Sequence, residues 1–453
     1  MRVVLFILSL FFVFSCNSSI TEKAEIKNVT EKSEVISFAK SKVINVSAPS
    51  TNYSVYVPAA YDSTKAIPLV FFFDPHADGA LPVEKYKELS EKFGFAFIGS
   101  NNSKNGMSIN DAVSIANETL IDAVTKINID KSRIYVCGFS GGANVASALA
   151  AQFSGIAGLI ACSGGGLQNT RALNFLYVSV AGLNDFNYNS LATANTQLEQ
   201  NNIPFLFLTG DYKHEWAPPE LIEKAFIYFE LHSPPNSINS KIVTDTKKYF
   251  AGAIAANKND IIKELDLMQQ AVVIFNGIDN INGYKKRIAE IKNTKTYKDK
   301  LAEETRIKEY EKQLQQTYQQ SLQNADVGYW KKEIDQLKNS SSNNADKKQK
   351  QLNNRLLGYV GILCYSYCNQ VVKQNNFVVA KNLLEIYRYT EPDNAEACFL
   401  SAQVYAGNNL RDESKEFLKC ALKNKMDNTN RIAEDNNLKD FLNDNEIANL
   451  LHQ

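Results

Sequence analysis

Residues 134–146 read IYVCGFSGGANVA, an apolar run that ends in Gly-Phe-Ser-Gly-Gly and continues into small residues. The apolar run predicts a buried strand, and the small residues predict a helix that packs tightly behind a turn. Ser140 would occupy that turn in a strained backbone conformation, which requires small residues two positions before and after it. Gly138 and Gly142 meet this requirement. The stretch therefore predicts a serine raised above the end of a strand, and an ordinary glycine-rich bend is the alternative.

Six further runs between residues 34 and 232 have the same strand character. They read YSVYVP (53–58), PLVFFF (68–73), FAFIGS (95–100), IAGLIACS (156–163), FLYVSVAG (175–182) and PFLFLTG (204–210). Amphipathic helical patterns separate them, for example over residues 83–94 and 108–127. Strands that are apolar on both faces and alternate with helices indicate the α/β class, with a doubly wound, mostly parallel sheet. Reacting groups collect at the carboxyl ends of the strands in such sheets.

A serine nucleophile needs a base and an acid, which in sheets of this kind follow it in the order carboxylate, then histidine. The chain has four histidines, His76, His214, His232 and His452. His214 follows Ser140, lies in the loop after PFLFLTG and precedes a helix that Pro218 and Pro219 announce. It is the predicted base.

Asp185 is the predicted acid. It lies in the loop after FLYVSVAG, where its carboxylate can accept a hydrogen bond from the imidazole of His214 and hold the tautomer that takes the proton of Ser140. Asp211 is a rival acid. We prefer Asp185 because Asp211 is only three residues from His214 in the same loop.

Four stretches carry a resemblance to a known family: YSVYVPAAYDSTKAIPLVFFF (53–73), GFSGG (138–142), GLNDFN (182–187) and KHEW (213–216). In motif order and spacing, about residues 40–232 resemble an α/β-hydrolase of the esterase group that includes polyhydroxybutyrate depolymerases and feruloyl or acetylxylan esterases. The resemblance implies a serine esterase that needs no metal or organic cofactor. Trp216 fits the group's pattern, whereas Lys213 stands where that pattern usually has glycine.

The loop after PLVFFF reads DPHADG, where the esterase group normally has His-Gly and a backbone N–H that supplies half of the oxyanion hole. Pro75 has no N–H to give, so the donor is expected to be His76 or Ala77, paired with the N–H of Gly141. Alternatively, DPHADG is an ordinary turn with Asp74 as its cap, and His76 lines a substrate pocket.

Three aromatic residues close to the triad positions are expected to line the substrate pocket: Phe139, Tyr188 and Trp216. By analogy with the same group, such a pocket would suit esters linked to plant polysaccharides.

Residues 1–16 place one arginine before about a dozen apolar residues, which is typical of a signal peptide and shorter than the roughly 20 residues that span a bilayer. VFSC resembles the lipobox of bacterial lipoproteins, with Cys16 as the lipidated residue; an ordinary cleaved signal is the alternative. Residues 17–33 have few large apolar side chains and predict a tether. We therefore expect an exported protein, lipid-anchored in the bacterial cell envelope on its periplasmic or outer face, with no other membrane contact.

The composition gives no sign of a nucleic-acid partner, because 49 basic residues balance 49 acidic ones. Beyond Cys16, six cysteines lie on strand ends or apolar helix faces and are expected to be free and buried: Cys137, Cys162, Cys364, Cys368, Cys398 and Cys420. Cys364 and Cys368 are one helical turn apart, but no histidine or carboxylate pattern completes a metal site around them.

The sequence changes character after the hydrolase-like domain of residues 34–232. A linker is predicted over residues 233–242, and charged, glutamine-rich residues 243–345 predict long solvated helices. KNSSSNNADKKQKQ (338–351) predicts a flexible loop.

Residues 346–453 carry an internal period. Ala380, Leu384, Tyr387 and Pro392 are followed 34 residues later by Ser414, Leu418, Ala421 and Met426. This period resembles tetratricopeptide repeats, with about two units over residues 361–426. Such repeats often bind a protein partner in their concave face, and packing against the hydrolase-like domain or dimerisation is the alternative.

The first functional hypothesis is an exported serine hydrolase that cleaves a small-molecule or polysaccharide-linked carboxylic ester through an acyl-enzyme. A peptidase of similar fold is its enzymatic rival, although no propeller domain supports one. The second hypothesis is a catalytically inactive, hydrolase-like envelope scaffold that binds proteins through its helical repeats. The departure at Pro75 and the large helical tail motivate it.

Overall fold

The structure is a computed structural model that describes residues 39–167, 172–232, 239–324, 326–340, 346–374, 376–426 and 429–451. The predicted leader with Cys16, the tether and the linker up to residue 238 lie outside these residues.

Eight strands in the described part of the chain form one sheet in the order β1-β2-β4-β3-β5-β6-β7-β8. They are β1 (Ile44–Ser47), β2 (Asn52–Tyr56), β3 (Ile67–Phe73), β4 (Ala96–Ser100), β5 (Ile129–Phe139), β6 (Ile156–Cys162), β7 (Leu176–Gly182) and β8 (Leu206–Gly210). From β4 to β8 in that order all neighbours are parallel, whereas β1 and β2 pair antiparallel at one edge. The mostly parallel sheet and the seven predicted strands are confirmed. β1 was not predicted, because only two of its four side chains are even partly buried.

Helices cover both faces of the sheet. Five of them alternate with the strands: α1 (Ala80–Phe93), α2 (Ile109–Lys126), α3 (Gly141–Gln152), α4 (Tyr188–Gln200) and α5 (Pro219–His232). In β3, Phe72 packs into the core beneath α1 and α5, while Phe71 and Phe73 pack into the core beneath α2 and α3. Alternate side chains of a strand point to opposite faces, so three consecutive phenylalanines are stable only in a strand that is covered twice.

The rest of the described chain is helical. Its helices are α6 (Ser240–Ala256), α7 (Ile261–Phe275), α8 (Asn282–Asn293), α9 (Lys295–Ser321), α10 (Val327–Asn339), α11 (Lys347–Lys373), α12 (Phe377–Thr390), α13 (Ala395–Ala406), α14 (Arg411–Lys423), α15 (Asn430–Glu434) and α16 (Asn445–Leu451). Apolar side chains of α6, α7 and α8 join the core beneath α1 and α5. These helices therefore extend the core of the sheet region, and α9 is the long, mostly solvated helix that the charge pattern predicts.

One detail corrects the predicted helical region, and another agrees with its predicted period. The flexible loop predicted over residues 338–351 is shorter, because α10 extends to Asn339 and α11 already begins at Lys347. Helices α12 and α14 begin 34 residues apart, at Phe377 and Arg411. The assignment of this pair to tetratricopeptide repeats stays a prediction.

The prediction that all six cysteines are free is wrong for two of them. Cys398 in α13 and Cys420 in α14 form a disulfide, with their Cα atoms 5.8 Å apart. Each cysteine lies on an apolar helix face as expected, but the two faces pack against each other, which the spacing alone did not reveal. The other four, Cys137, Cys162, Cys364 and Cys368, are free and buried. Among the helices of the described ranges, none is both long enough and apolar enough to cross a bilayer.

Candidate active site

The turn between β5 and α3 holds Ser140 in a strained conformation. Its backbone has φ 52° and ψ −119°, a combination that residues other than glycine rarely adopt. A Cβ at Gly138 would overlap the carbonyl oxygen of Gly142, and a Cβ at Gly142 would overlap that of Phe73. The glycines therefore let the turn fold tightly against the ends of β3 and β5, with the serine at the carboxyl end of the sheet.

Gly142→Ala should lower the free energy of unfolding by about 1–3 kcal/mol, the usual cost of forcing a methyl group into a packed site. Urea unfolding followed by circular dichroism measures this change. Gly252→Ala in α6 is the matched control, because nothing lies within 4 Å of a Cβ there and alanine favours a helix over glycine by about 1 kcal/mol. Equal destabilisation of both variants would contradict the steric argument.

Ser140, His214 and Asp185 meet at the carboxyl ends of β5, β8 and β7. His214 Nε2 lies 3.0 Å from Ser140 Oγ, and His214 Nδ1 lies 3.0 Å from each carboxylate oxygen of Asp185. The Asp185 side chain is fully buried, whereas 22% of the His214 side chain is exposed. The backbone N–H of Asn187 donates to Asp185 Oδ1 at 2.8 Å and fixes the carboxylate. The hydrogen-bonded order is that of a nucleophile, its base and the group that orients the base.

Asp211, the rival acid, makes different contacts. Its Oδ1 accepts a hydrogen bond from Asn184 Nδ2 at 2.7 Å, and its Oδ2 lies 3.1 Å from Lys347 Nζ. The hydrogen bond from Asn184 and the ammonium of Lys347 lower the pKa of the Asp211 carboxyl. Asp211 therefore binds the helical region, and Asp185 is the acid hydrogen-bonded to His214.

The two loop N–H groups predicted to face an oxyanion are engaged elsewhere. His76 N–H donates to Asp74 Oδ1 at 2.8 Å, and Ala77 N–H donates to Asp74 O at 3.2 Å. The alternative, a turn closed by Asp74, is therefore the observed conformation, because a carboxylate two residues upstream readily captures such an N–H. Gly141 lies in the first turn of α3, where backbone N–H groups lack intrahelical acceptors.

The three aromatic residues predicted to line a pocket are packed instead. Trp216 is 5% exposed, and its Nε1 donates to Asp74 Oδ2 at 2.8 Å. Phe139 is buried between the rings of Trp216 and His214. Tyr188 packs on Phe207 in β8, with 6.4 Å between the ring centroids. These rings therefore pack around the triad instead of lining a pocket. An aromatic residue beside a catalytic position can as readily be part of the core.

The helical region covers one side of the triad. Phe186, next to Asp185, packs on the His214 ring with 4.3 Å between centroids. A Cβ built on Gly358 of α11 would lie 3.2 Å from the Phe186 ring, so the helix passes directly over this phenylalanine. Nothing in the local sequence pattern indicated this contact, which joins residues far apart in the chain.

A cavity of about 280 Å³ opens between the sheet region and the helical region. His76 and Asn105 line it from one side, and Tyr365, Gln403 and Arg431 line it from the other. The side-chain amide of Asn105 also lies against Gly141. The cavity is therefore lined by residues of both regions, and the side contributed by the helices was not predicted.

Glu391, just after α12, brings a half-buried carboxyl near the loop that carries His214. Burial raises its pKa, and a hydrogen bond from Asn394 Nδ2 together with the charges of Lys213, His214 and Lys338 offsets part of that rise. A carboxyl whose pKa is raised by folding does not lower the free energy of unfolding at pH values below the pKa of the unfolded state. It lowers that free energy as the pH rises from the unfolded-state pKa through the folded-state pKa.

Glu391→Gln should therefore raise the melting temperature at pH 7 by about 1–3 °C and leave it nearly unchanged at about pH 3, which lies below the ordinary pKa of a glutamate carboxyl and below the raised pKa of the folded state. Thermal unfolding at the two pH values measures the difference. Glu385→Gln on the same helix is the control, because the Glu385–Lys331 ion pair is about 40% exposed and such pairs contribute little. A lower melting temperature for Glu391→Gln at pH 7 would contradict the prediction.

No protein-family model and no curated protein matches the chain. Among solved structures, an S-formylglutathione hydrolase from Staphylococcus aureus is similar with a TM-score of 0.36 at 14% identity, over 42% of this chain and 95% of that one. An esterase from Pyrobaculum calidifontis has a TM-score of 0.34 at 13% identity, over 41% of this chain and 81% of its own. A ferulic acid esterase also has 0.34 at 13%, over 41% and 95%. Each similarity covers less than half of this chain, and the function proposed below rests on the geometry of the site.

Proposed function

We propose that this protein is a serine hydrolase that cleaves carboxylic esters through an acyl-enzyme intermediate. The hydrogen-bonded chain from Ser140 Oγ through the His214 ring to the buried Asp185 carboxylate supports it. The strained turn supports it as well, because backbone strain of this kind clusters at functional sites. Three residues from three loops in this arrangement match the requirement for an activated nucleophile.

In the proposed reaction, Ser140 Oγ bonds to the ester carbonyl carbon while His214 Nε2 takes the hydroxyl proton. The carbonyl π electrons move to oxygen, and the imidazolium then protonates the alkoxy leaving group as its C–O bond breaks. Water attacks the acyl-serine with His214 again as base, which releases a carboxylic acid and restores the Ser140 hydroxyl. Asp185 keeps the Nδ1 proton in place and stabilises the imidazolium throughout.

Two donors for the oxyanion are part of the proposal. The N–H of Gly141 is the first, since it lies one residue after the nucleophile at a helix N-terminus. The second is either His76 or Ala77 N–H after release from Asp74, or Nδ2 of Asn105 after the side-chain amide turns over, because its Oδ1 is the atom nearer Gly141 in the structure. One such donor is typically worth about 3–4 kcal/mol of the barrier.

The substrate is proposed to be a small polar ester. The cavity between the sheet region and the helical region is lined mainly by polar and charged side chains, including Lys104, Asn105 and Gln403. Such a lining favours groups that can form hydrogen bonds and disfavours long alkyl chains, because burying these side chains against hydrocarbon would leave them unpaired.

The test is labelling of the purified full chain with a fluorophosphonate probe, followed by peptide mapping and by hydrolysis of p-nitrophenyl acetate. We expect one adduct, on the peptide that contains Ser140, and no adduct in a urea-unfolded sample. A folded protein that takes up no probe and hydrolyses no ester would contradict the proposal. It would favour the second hypothesis, a scaffold that binds proteins through its helices.

A further inference from the structure

Helices α9 and α11 contact the loop that carries Asp185, which comprises residues 183–187 and is named the acid loop. Arg355 in α11 donates through Nη1 to the backbone oxygen of Leu183 at 2.8 Å. Its neighbour Asn354 donates through Nδ2 to Asn184 Oδ1 at 3.0 Å. These contacts fall on the two residues immediately before Asp185, so the helical region reaches the acid loop at its first turn.

The guanidinium of Arg355 is itself held by a buried partner. Its Nε lies 3.0 Å from both oxygens of Glu311 in α9, and its Nη2 lies 2.7 Å from Glu311 Oε2. The two side chains are only 6% and 1% exposed. Glu311 Oε2 also accepts a hydrogen bond from Asn189 Nδ2 at 2.7 Å, beyond the other end of the acid loop. Arg355 thus contacts the start of the loop, and Glu311 contacts α4 just beyond its end.

Stability alone does not explain this pair. Moving two charges out of water costs several kcal/mol each, and their attraction offsets that cost only with good geometry, so buried ion pairs are often no more stable than apolar side chains of the same size. What the pair does provide is a rigid, planar donor at a fixed point, because the guanidinium is locked by Glu311 and leaves one N–H directed at Leu183 O.

The loop is held from the opposite side by the sheet. Leu183 N–H donates to Gly210 O at 2.8 Å, and Asn184 N–H donates to Tyr212 O at 3.2 Å. The backbone entering Asp185 is therefore clamped between β8 on one side and Arg355 on the other. If Arg355 is removed, the carbonyl of Leu183 loses its buried donor and only the sheet side remains.

We infer that Arg355 is a positioning residue for the reaction, which rests on the proposed function. Through Leu183 it holds the Asp185 carboxylate against His214 Nδ1, and Glu311 fixes Arg355 for that purpose. Helices α9 and α11 are accordingly part of the catalytic unit. Arg355 touches no reacting atom, so its loss slows the chemical step and leaves the substrate-binding surface unchanged.

The test compares Arg355→Met with Arg287→Met in the full chain. Arg287 also forms a two-pronged pair with a buried glutamate, Glu264, at 3.0 and 3.2 Å, but in the described part of the chain its hydrogen bonds reach none of the loops that carry Ser140, Asp185 and His214. With p-nitrophenyl acetate we expect Arg355→Met to lower kcat about 100-fold, the typical effect of misplacing a catalytic group by about 1 Å, with KM within twofold. Arg287→Met should keep the wild-type kcat.

A double variant separates positioning from general destabilisation. If Arg355 acts through Asp185, Arg355→Met should have almost no further effect on kcat in an Asp185→Asn background, because the group that it positions no longer functions. Arg355→Lys should recover part of the rate, since one ammonium can reach Glu311 or Leu183 O but lacks the fork that serves both. If Arg355→Met does not fold, the lysine variant is used for the same two comparisons.

The outcomes are distinct. A wild-type protein that is neither labelled nor active would overturn the proposed function. An active wild type in which the Arg355 and Arg287 variants have equal kcat, or in which the Arg355 and Asp185 effects multiply, would overturn the positioning role and leave the proposed function intact.

Discussion

Ser140→Ala is expected to abolish fluorophosphonate labelling and to lower kcat for p-nitrophenyl acetate by about 10⁶-fold, the loss that removal of a triad serine typically gives. The methyl group leaves no oxygen to attack the carbonyl, and His214 Nε2 loses the hydroxyl that lies 3.0 Å away. The remaining rate would come from oxyanion donors and substrate binding alone.

Ser147→Ala is the matched control for this variant. Ser147 lies in α3, the helix that Ser140 precedes; it is buried and donates to Gly165 O at 2.8 Å. It should cost about 1 kcal/mol of stability for the lost hydrogen bond and keep full labelling. Labelling that survives in Ser140→Ala would show that the probe reacts at another residue, and the assignment of the nucleophile would be wrong.

Asp185→Asn should lower kcat by about 10⁴-fold, the second-largest effect that we expect. The amide keeps the size of the carboxyl and can still accept the Asn187 N–H. However, its NH₂ donates to His214 Nδ1, which leaves the ring proton on Nε2, where it faces Ser140. In that tautomer the imidazole cannot take the serine proton, so the variant should fold normally and react slowly. Steady-state kinetics and thermal unfolding, measured side by side, test both halves of this statement.

Asp211→Asn is the control for the acid. Its carboxylate binds Asn184 and Lys347 at the surface, and the amide can still accept from Asn184, so kcat should change by no more than about threefold, as is usual for an exposed ion pair. A large loss in Asp211→Asn together with near-normal activity in Asp185→Asn would reverse the assignment of the acid.

The sequence predicted the elements whose signal is local. The strand runs alternate with amphipathic helices, and the glycine at 138 reports a steric requirement, against the carbonyl of Gly142, that is met within five residues. The chain order serine, carboxylate, histidine then placed three loops at one edge of the sheet, because parallel strands share their carboxyl ends. These patterns depend only on neighbouring residues, which is why they could be read without the fold.

The parts that the sequence did not reveal depend on distant contacts. Trp216 is buried because Asp74, 142 residues earlier, accepts its indole N–H. Arg355 could not be recognised as part of the site, since a lone arginine in a charged helix usually points to solvent. The pairing of Cys398 with Cys420 required knowing that two helix faces meet. In each case a side chain has a common surface or core interpretation, and only the tertiary contact distinguishes the two.

The contact between Arg355 and Leu183 joins residues 172 positions apart. At the usual 5–20 residues per second, a ribosome needs roughly 9–34 seconds to make the intervening chain. From the synthesis of His214 until that of Arg355, the nascent protein contains Ser140, Asp185 and His214 but lacks the arginine that contacts the loop of Asp185. Under the proposed function, we therefore expect hydrolytic activity to reach its full rate only after Arg355 has been made.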